Sequence, residues 1–240
     1  NLRPVYSRNV EMWKDTFGID VTQPGYLIPV KLEAFEHGQG FLIDENAMSQ
    51  IPGLFGTRGY GLAKGHITQQ TFVGAYAGTQ AAEYAAANGN VAMDWAVPEA
   101  EIARLEEIRA RQSEDAIRPH EIRHKLQDSF YTAYEPGTSG EKLETCLAEI
   151  ERIKAEDLPR QAIVDKSPVF NREWKEAIEN YNLIDVTEAA VRAALMREES
   201  RLTFYRTDFP ETDEENWHCN IVAYLENGQM VVEKSPQVLL

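Results

Sequence analysis

Val73-Gly74-Ala75-Tyr76-Ala77-Gly78-Thr79-Gln80-Ala81-Ala82-Glu83-Tyr84-Ala85 is a helix-like run with almost no bulk on its surface. Each glycine in a helix interior costs up to about 1 kcal/mol. Two arrangements offset that cost: close approach of another backbone or a flat ligand, or tight packing on a sheet. The helix opens after Gly65-His66 and continues to Ala87, with Asn88-Gly89 as its stop signal. Just upstream, Ile51-Pro52-Gly53-Leu54-Phe55-Gly56-Thr57-Arg58-Gly59-Tyr60-Gly61 reads as a short strand running into a glycine-rich loop. Unpaired N–H groups and the macrodipole at the start of such a helix favour negative or electron-rich atoms. Gly65 permits close approach there, and His66 is the first side chain.

Working outward, Tyr26-Leu27-Ile28-Pro29-Val30 and Gly40-Phe41-Leu42-Ile43-Asp44 are expected strands. From Pro98 to Arg197 the period is helical. Pro98 suits a first helical position, with Glu99 and Glu101 in the positive first turn and an apolar stripe at Ile102, Leu105 and Ile108. Ile122, Leu126, Phe130 and Tyr134 form a second stripe. Thr138-Ser139-Gly140-Glu141 is a capping-box pattern ahead of Leu143, Leu147, Ile150 and Ile153. Asn171 caps a helix carrying Trp174 and Ile178, and Asp185-Val186-Thr187-Glu188 starts another with Val191 and Leu195. A compact bundle is the simplest product. Cys219 to Glu226 and Gln229 to Lys234 are strand-like, and Asn227-Gly228 between them is the strongest short hairpin signal. The fold class is α+β, in three regions: 1–97, a helical domain over 98–200, and an extended tail with a β-hairpin over 201–240.

Composition excludes some functions. A net charge of −15 is wrong for a phosphate backbone, so no nucleic-acid partner is expected. No apolar run approaches the roughly 18 residues of a membrane helix. Cys146 and Cys219 form no CxxC pair and read as reduced thiols, as in a cytoplasmic protein. The chain opens Asn1-Leu2-Arg3-Pro4 without a methionine, which fits a processed product or a piece of something longer.

His120-Glu121-Ile122-Arg123-His124 is an HExxH string, which on a helix sets two imidazoles one turn apart with a carboxylate as general base. Glu144 stands where a third ligand would be sought. The context opposes a zinc hydrolase: Pro119 puts the string in a first turn, and Arg118, Arg123 and Lys125 are cationic neighbours. An exposed helix face is the expectation, with no metal site.

At this point the residues resemble a known family. The Ile51–Phe55 segment, the glycine loop and the Val73–Ala85 helix are similar to the late FAD-domain segment "(V/I)PGLYAAGE…FGRRAGEAAAEYA". That segment belongs to the flavoprotein subunits of succinate dehydrogenase, fumarate reductase and adenylylsulfate reductase, and to L-aspartate oxidase. The tail is similar to the family's "RxESR…R.DFP..D..NW.C" ending, closest to the adenylylsulfate reductase alpha subunit. It runs Arg197-Glu198-Glu199-Ser200-Arg201, then Arg206-Thr207-Asp208-Phe209-Pro210, then Asp213, Asn216-Trp217 and Cys219. The resemblance implies that the chain is the C-terminal portion of an FAD-dependent oxidoreductase, with the end of an FAD-binding domain followed by the bundle and hairpin. It also implies electron or hydride transfer at flavin N5, an iron–sulfur partner subunit, and a flavin edge at Gly65, His66 and Ile67 with Thr57, Arg58 and Gly59 nearby.

Departures from the family pattern shape the expected chemistry. Gly61-Leu62-Ala63-Lys64-Gly65-His66-Ile67 stands in place of "RLGGNSL" and has no arginine. Glu36-His37-Gly38-Gln39-Gly40 is the nearest match to "H…GG(I/L)". Tyr26-Leu27-Ile28-Pro29-Val30-Lys31 resembles "YLLGSH" with Lys31 in the place of its histidine, and Gly56-Thr57-Arg58-Gly59 lacks the acidic residue after "AAG". No GxGxxG occurs in the 240 residues. The expectation is a component that completes a flavin site whose dinucleotide fold lies on another chain or segment, acting on a small anionic substrate. Lys31, His37 and Lys64 are its candidate catalytic cations, with His37 the proton donor. The alternatives are a non-catalytic interaction subunit of a redox complex, and the zinc hydrolase.

Overall fold

The computed structural model describes residues 43–57, 67–89, 92, 94–135, 137–202 and 204–236, together with 11, 14–16, 18 and 20. The chain divides into two units, Asn1–His37 and Gly38–Leu240. In the first, the described residues form a helical turn in which Gly18 N–H donates to Lys14 O at 3.0 Å and Lys14 pairs with Asp20 at 3.4 Å. The expected strand Tyr26–Val30 lies outside the described residues.

The second unit begins with a knot of turns. Ile43 bridges Ser49 and Met48 bridges Phe55. The Asp44 carboxylate accepts the Asn46 and Met48 N–H groups, both at 2.9 Å, which folds the chain back on itself. The expected strand at Ile51 is therefore a turn: Leu54 N–H closes on Ile51 O at 3.0 Å. Pro52-Gly53 dictates that outcome, since proline cannot donate to a ladder.

Helices follow: α1 Ile67–Asn88, α2 Ala96–Ala110, α3 Pro119–Tyr134, α4 Gly140–Arg152 and α5 Arg172–Met196. Helix α2 starts two residues before Pro98 because the Asp94 carboxylate accepts the Ala96 N–H at 3.0 Å. Pro98 still sits in the first turn, where its missing N–H costs nothing. The cap of α4 is Ser139 rather than Thr138, accepting from Lys142 N–H. Thr138 is instead held in an extended bridge beside Arg206, so the helix begins one residue later. The two helices expected on either side of Asp185 are one continuous helix, α5. No Gly or Pro interrupts the stretch, and Thr187 turns its hydroxyl back to Leu183 O at 2.6 Å. Asn171 caps α5 as expected, accepting the Trp174 N–H at 2.8 Å.

The core lies where α3, α4 and α5 meet. Ile122, Leu126 and Ala133 of α3 pack with Leu143, Cys146 and Ile150 of α4 and Ile184, Val191 and Ala194 of α5. Each large aliphatic group so buried contributes about 1.5–3 kcal/mol. A satellite cluster joins Ile108 of α2 to Ile163 and Ala177, with Trp174 donating its indole N–H to Leu105 O at 3.0 Å. The stripe expected on α2 is only partly internal, because Ile102 faces solvent. After a short helix α6, Glu214–Trp217, the strands β1 Cys219–Glu226 and β2 Gln229–Pro236 form the hairpin. Asn227 and Gly228 both adopt positive φ, 52° and 79°, the turn that matches the natural twist of two strands.

Past Arg152 the chain makes a π-helical turn, Ile153–Asp157, and a 3-10 turn, Leu158–Arg160. This change of pitch brings the fully buried Asp157 against Lys125 at 2.8 Å, Arg152 at 3.0 Å and Arg160 at 2.9 Å. Burial pushes its carboxyl up, but hydrogen bonds from Arg152 and Lys125 outweigh that and hold it at about 2.

Two outcomes follow for stability. Ile150→Ala should lower the urea-unfolding free energy by about 2–5 kcal/mol, whereas Ile102→Ala should change it by less than about 0.5 kcal/mol. Because Asp157 titrates below its ordinary 3.8 in the fold, its stabilisation is complete above about pH 4 and is lost as the pH falls through about 2. Asp157→Asn should flatten that acid limb in an unfolding-versus-pH series; an unchanged limb would show the pair contributes nothing.

Candidate functional site

Helix α1 has two unlike sides. One is covered by the 43–57 turns: Ala47, Val73 and Ala77 are buried together, Tyr76 donates its hydroxyl to Glu45 O at 2.8 Å, and Phe55 meets Tyr84 edge-on at 5.8 Å between ring centroids. The other is bare. Ala75, Gly78, Ala82 and Ala85 recur at helical spacing and face solvent, and a Cβ added to Gly78 would meet nothing within 4 Å. Phe72, on the same side, is 76% exposed. Among the described residues no sheet covers this stripe and nothing offsets the glycine cost noted above.

The first turn of α1 carries no acidic side chain, and the first four N–H groups of any α-helix lack intrahelical acceptors. Of the expected flavin-facing residues, Ile67 opens α1, and Thr57 lies beside its second turn, 3.9 Å from where a Gly74 Cβ would stand. Seven residues of helix separate the two positions, a rise of about 10 Å. Arg58, Gly59, Gly65 and His66 lie outside the described residues, as do the candidate catalytic residues Lys31, His37 and Lys64.

The HExxH string occupies the first two turns of α3, and its parts do not converge. Glu121 turns its carboxylate back to accept the Arg118 N–H at 2.8 Å, so it caps the helix. His120, His124 and Glu144 are exposed, and among the described residues no group of three His, Cys, Asp or Glu side chains is arranged to hold a metal.

The tail motif forms the most concentrated charge cluster. Glu199 is fully buried and paired with Arg197 and with Arg201, and it accepts the Asp213 N–H at 2.9 Å. Burial raises its carboxyl and the hydrogen bond from Arg201 more than reverses this, leaving it low. Arg206, equally inaccessible, donates to Ala194 O, Leu195 O and Arg197 O at 2.8, 3.3 and 3.1 Å, and forks onto Asp208 at 2.8 and 2.7 Å. Asp208 also accepts the Gly140 N–H at 2.8 Å, and the Arg206 guanidinium holds its carboxyl well below the usual range. Gly140 is glycine for want of room, since a Cβ there would sit 3.3 Å from the Asp208 carboxylate. Trp217 is flanked by Lys234 at 3.3 Å and Arg197 at 5.6 Å. These residues tie elements together: their partners are other members of the motif, the last carbonyls of α5, the first N–H of α4 and Lys234 of β2. The spacing Arg197-x-Glu199-x-Arg201 was the available signal for such a lattice, since long cations two apart from one carboxylate can bind it from both sides.

Comparison with known proteins bears on the fold and family. The family described as fumarate reductase flavoprotein C-term matches residues 123–239. The fumarate reductase flavoprotein subunit of Mycobacterium tuberculosis is 29% identical over 215 residues, 84% of this chain and 37% of that protein. Among solved structures, the FrdA chain of a variant Escherichia coli quinol fumarate reductase superposes with a TM-score of 0.78 at 25% identity, covering 95% of this chain and 41% of that one. Archaeoglobus fulgidus adenylylsulfate reductase shares the fold, with a TM-score of 0.58 at 24% identity over 71% of this chain and 29% of that one. The chain thus spans little more than a third of the length of the relative it matches.

Arg206→Ala should strand Asp208 and three carbonyls in the interior and destabilise the chain by about 3–5 kcal/mol in urea unfolding. Arg206→Lys should recover only part of that, because an ammonium cannot fork onto Asp208 while reaching the α5 carbonyls.

Proposed function

We propose a role for this chain from one premise: it belongs to the fumarate reductase/succinate dehydrogenase flavoprotein family, its residues 123–239 being that family's C-terminal domain. The family is one of oxidoreductases. The role is to complete the flavin site of an FAD-dependent oxidoreductase whose dinucleotide fold is supplied by another chain or segment.

The observation that carries the reading is α1, a helix whose small-residue face is uncovered among the described residues and whose first turn has no acidic side chain. Both features fit a flavin. The bare face admits a closely packed body, and the first-turn N–H groups from Ile67 onward suit the pyrimidine edge of the ring, where negative charge gathers on reduction. Thr57, Arg58, Gly59, Gly65 and His66 complete that edge. When bound, FAD supplies hydride or electron transfer at N5. Lys31, His37 and Lys64 orient a small anionic substrate beside it, with His37 as proton donor. An iron–sulfur subunit exchanges the electrons.

The non-catalytic reading is favoured by Gly56-Thr57-Arg58-Gly59, which lacks the family's acidic residue. The absorbance spectrum of the natively purified complex separates the two: flavin bands are expected, and a colourless complex overturns the catalytic reading. Gly78→Phe should leave urea unfolding of the chain within about 0.5 kcal/mol while abolishing copurification with a polypeptide bearing GxGxxG. In the assembled enzyme Lys31→Ala and His37→Ala should each reduce turnover about 100-fold or more; if neither does, those roles are wrong.

A further inference from the structure

We infer that His120 and His124 form a two-imidazole site for a divalent transition metal on the exposed face of α3. The two rings stand one helical turn apart, 6.0 Å between centroids and 77° between planes, and both are exposed. A modest rotation about the side-chain bonds brings both ring nitrogens onto one ion, the geometry that makes i, i+4 histidines a chelating pair.

The sequence argues against a cation here through Arg118, Arg123 and Lys125, but the fold engages each of them in an ion pair. Arg118 pairs with Glu173, Arg123 with Glu179 at 2.8 Å, and Lys125 with Asp157 at 2.8 Å. Arg172 and Glu176 of α5, which line one surface pocket with His120, pair with each other at 3.0 Å. These pairs lower the repulsion of a cation without cancelling it, since Glu179 also serves Lys175 and Asp157 also serves Arg152 and Arg160.

The same contacts set the coordination. Glu121 is committed to the Arg118 N–H, and Glu173 to Arg118 and to the Val164 N–H at 2.8 Å. Neither of these two carboxylates is free to act as third ligand or general base, and among the described residues no third side chain joins the pair in a metal-holding group, so the remaining positions belong to water. Imidazole pairs of this kind take Cu2+, Ni2+ and Zn2+ in preference to Mg2+ or Ca2+. Only unprotonated rings ligate, so binding weakens in acid.

The test is calorimetric titration of the full chain with NiCl2 at pH 7.5, repeated with MgCl2. One Ni2+ site is expected, absent for Mg2+, weaker at pH 5.5, and weakened at least tenfold by either His120→Ala or His124→Ala. Both side chains are exposed, so the variants should unfold at the wild-type urea midpoint. Persistence of the Ni2+ site in the double variant, or equal affinity in either single variant, overturns the assignment.

Discussion

The Arg206 guanidinium is the contact on which the tertiary arrangement turns. It closes the C-terminal carbonyls of α5 and, through Asp208, reaches the first N–H of α4. A buried cation is tolerable only when every donor is used, and here backbone oxygens and one carboxylate use them. Around it, Arg197 extends the tie to the strand side, donating to Trp217 O at 3.2 Å and Cys219 O at 3.0 Å. The hairpin is thus fastened to the bundle by charge-assisted hydrogen bonds as well as by apolar packing. That matters because two strands alone are marginal in water.

The two parts of the second unit differ in how they are held. From α2 onward, two apolar clusters and a series of ion pairs join the helices to one another. Helix α1 has one side buried on a turn of about fifteen residues, residues 43–57, while among the described residues nothing covers its small-residue side. The family match, over residues 123–239, falls entirely in the part beyond it.

Much of the fold was legible from residue pattern. The stripes of α3 and α4, the Asn171 cap and the Asn227-Gly228 turn follow from local periodicity and local hydrogen bonding, and they stand where expected. The errors share a cause. Thr138 loses its cap to a long-range bridge with Arg206, and Ile102 loses its partner because α2 meets only the edge of α5. The Asp185 break vanishes because α5 buries Ile184 within an uninterrupted helix. In each case a contact distant in sequence overrode a local preference. In the candidate site, the small-residue composition of α1 was readable from the sequence, whereas the placing of Thr57 beside Gly74, about 10 Å along the helix from Ile67, was not.

The sequence by itself determined the helical periods, the hairpin, the small-residue helix and the family, because each is written in neighbours a few residues apart or in a motif kept in order. Only the tertiary structure decided that Glu121 is a cap, that the cations around His120 and His124 are each held in an ion pair, and that the tail motif is a lattice of buried charge. Those outcomes depend on which side chain of one helix reaches which carboxylate of another, and charge attraction acts through space with no regard for sequence distance.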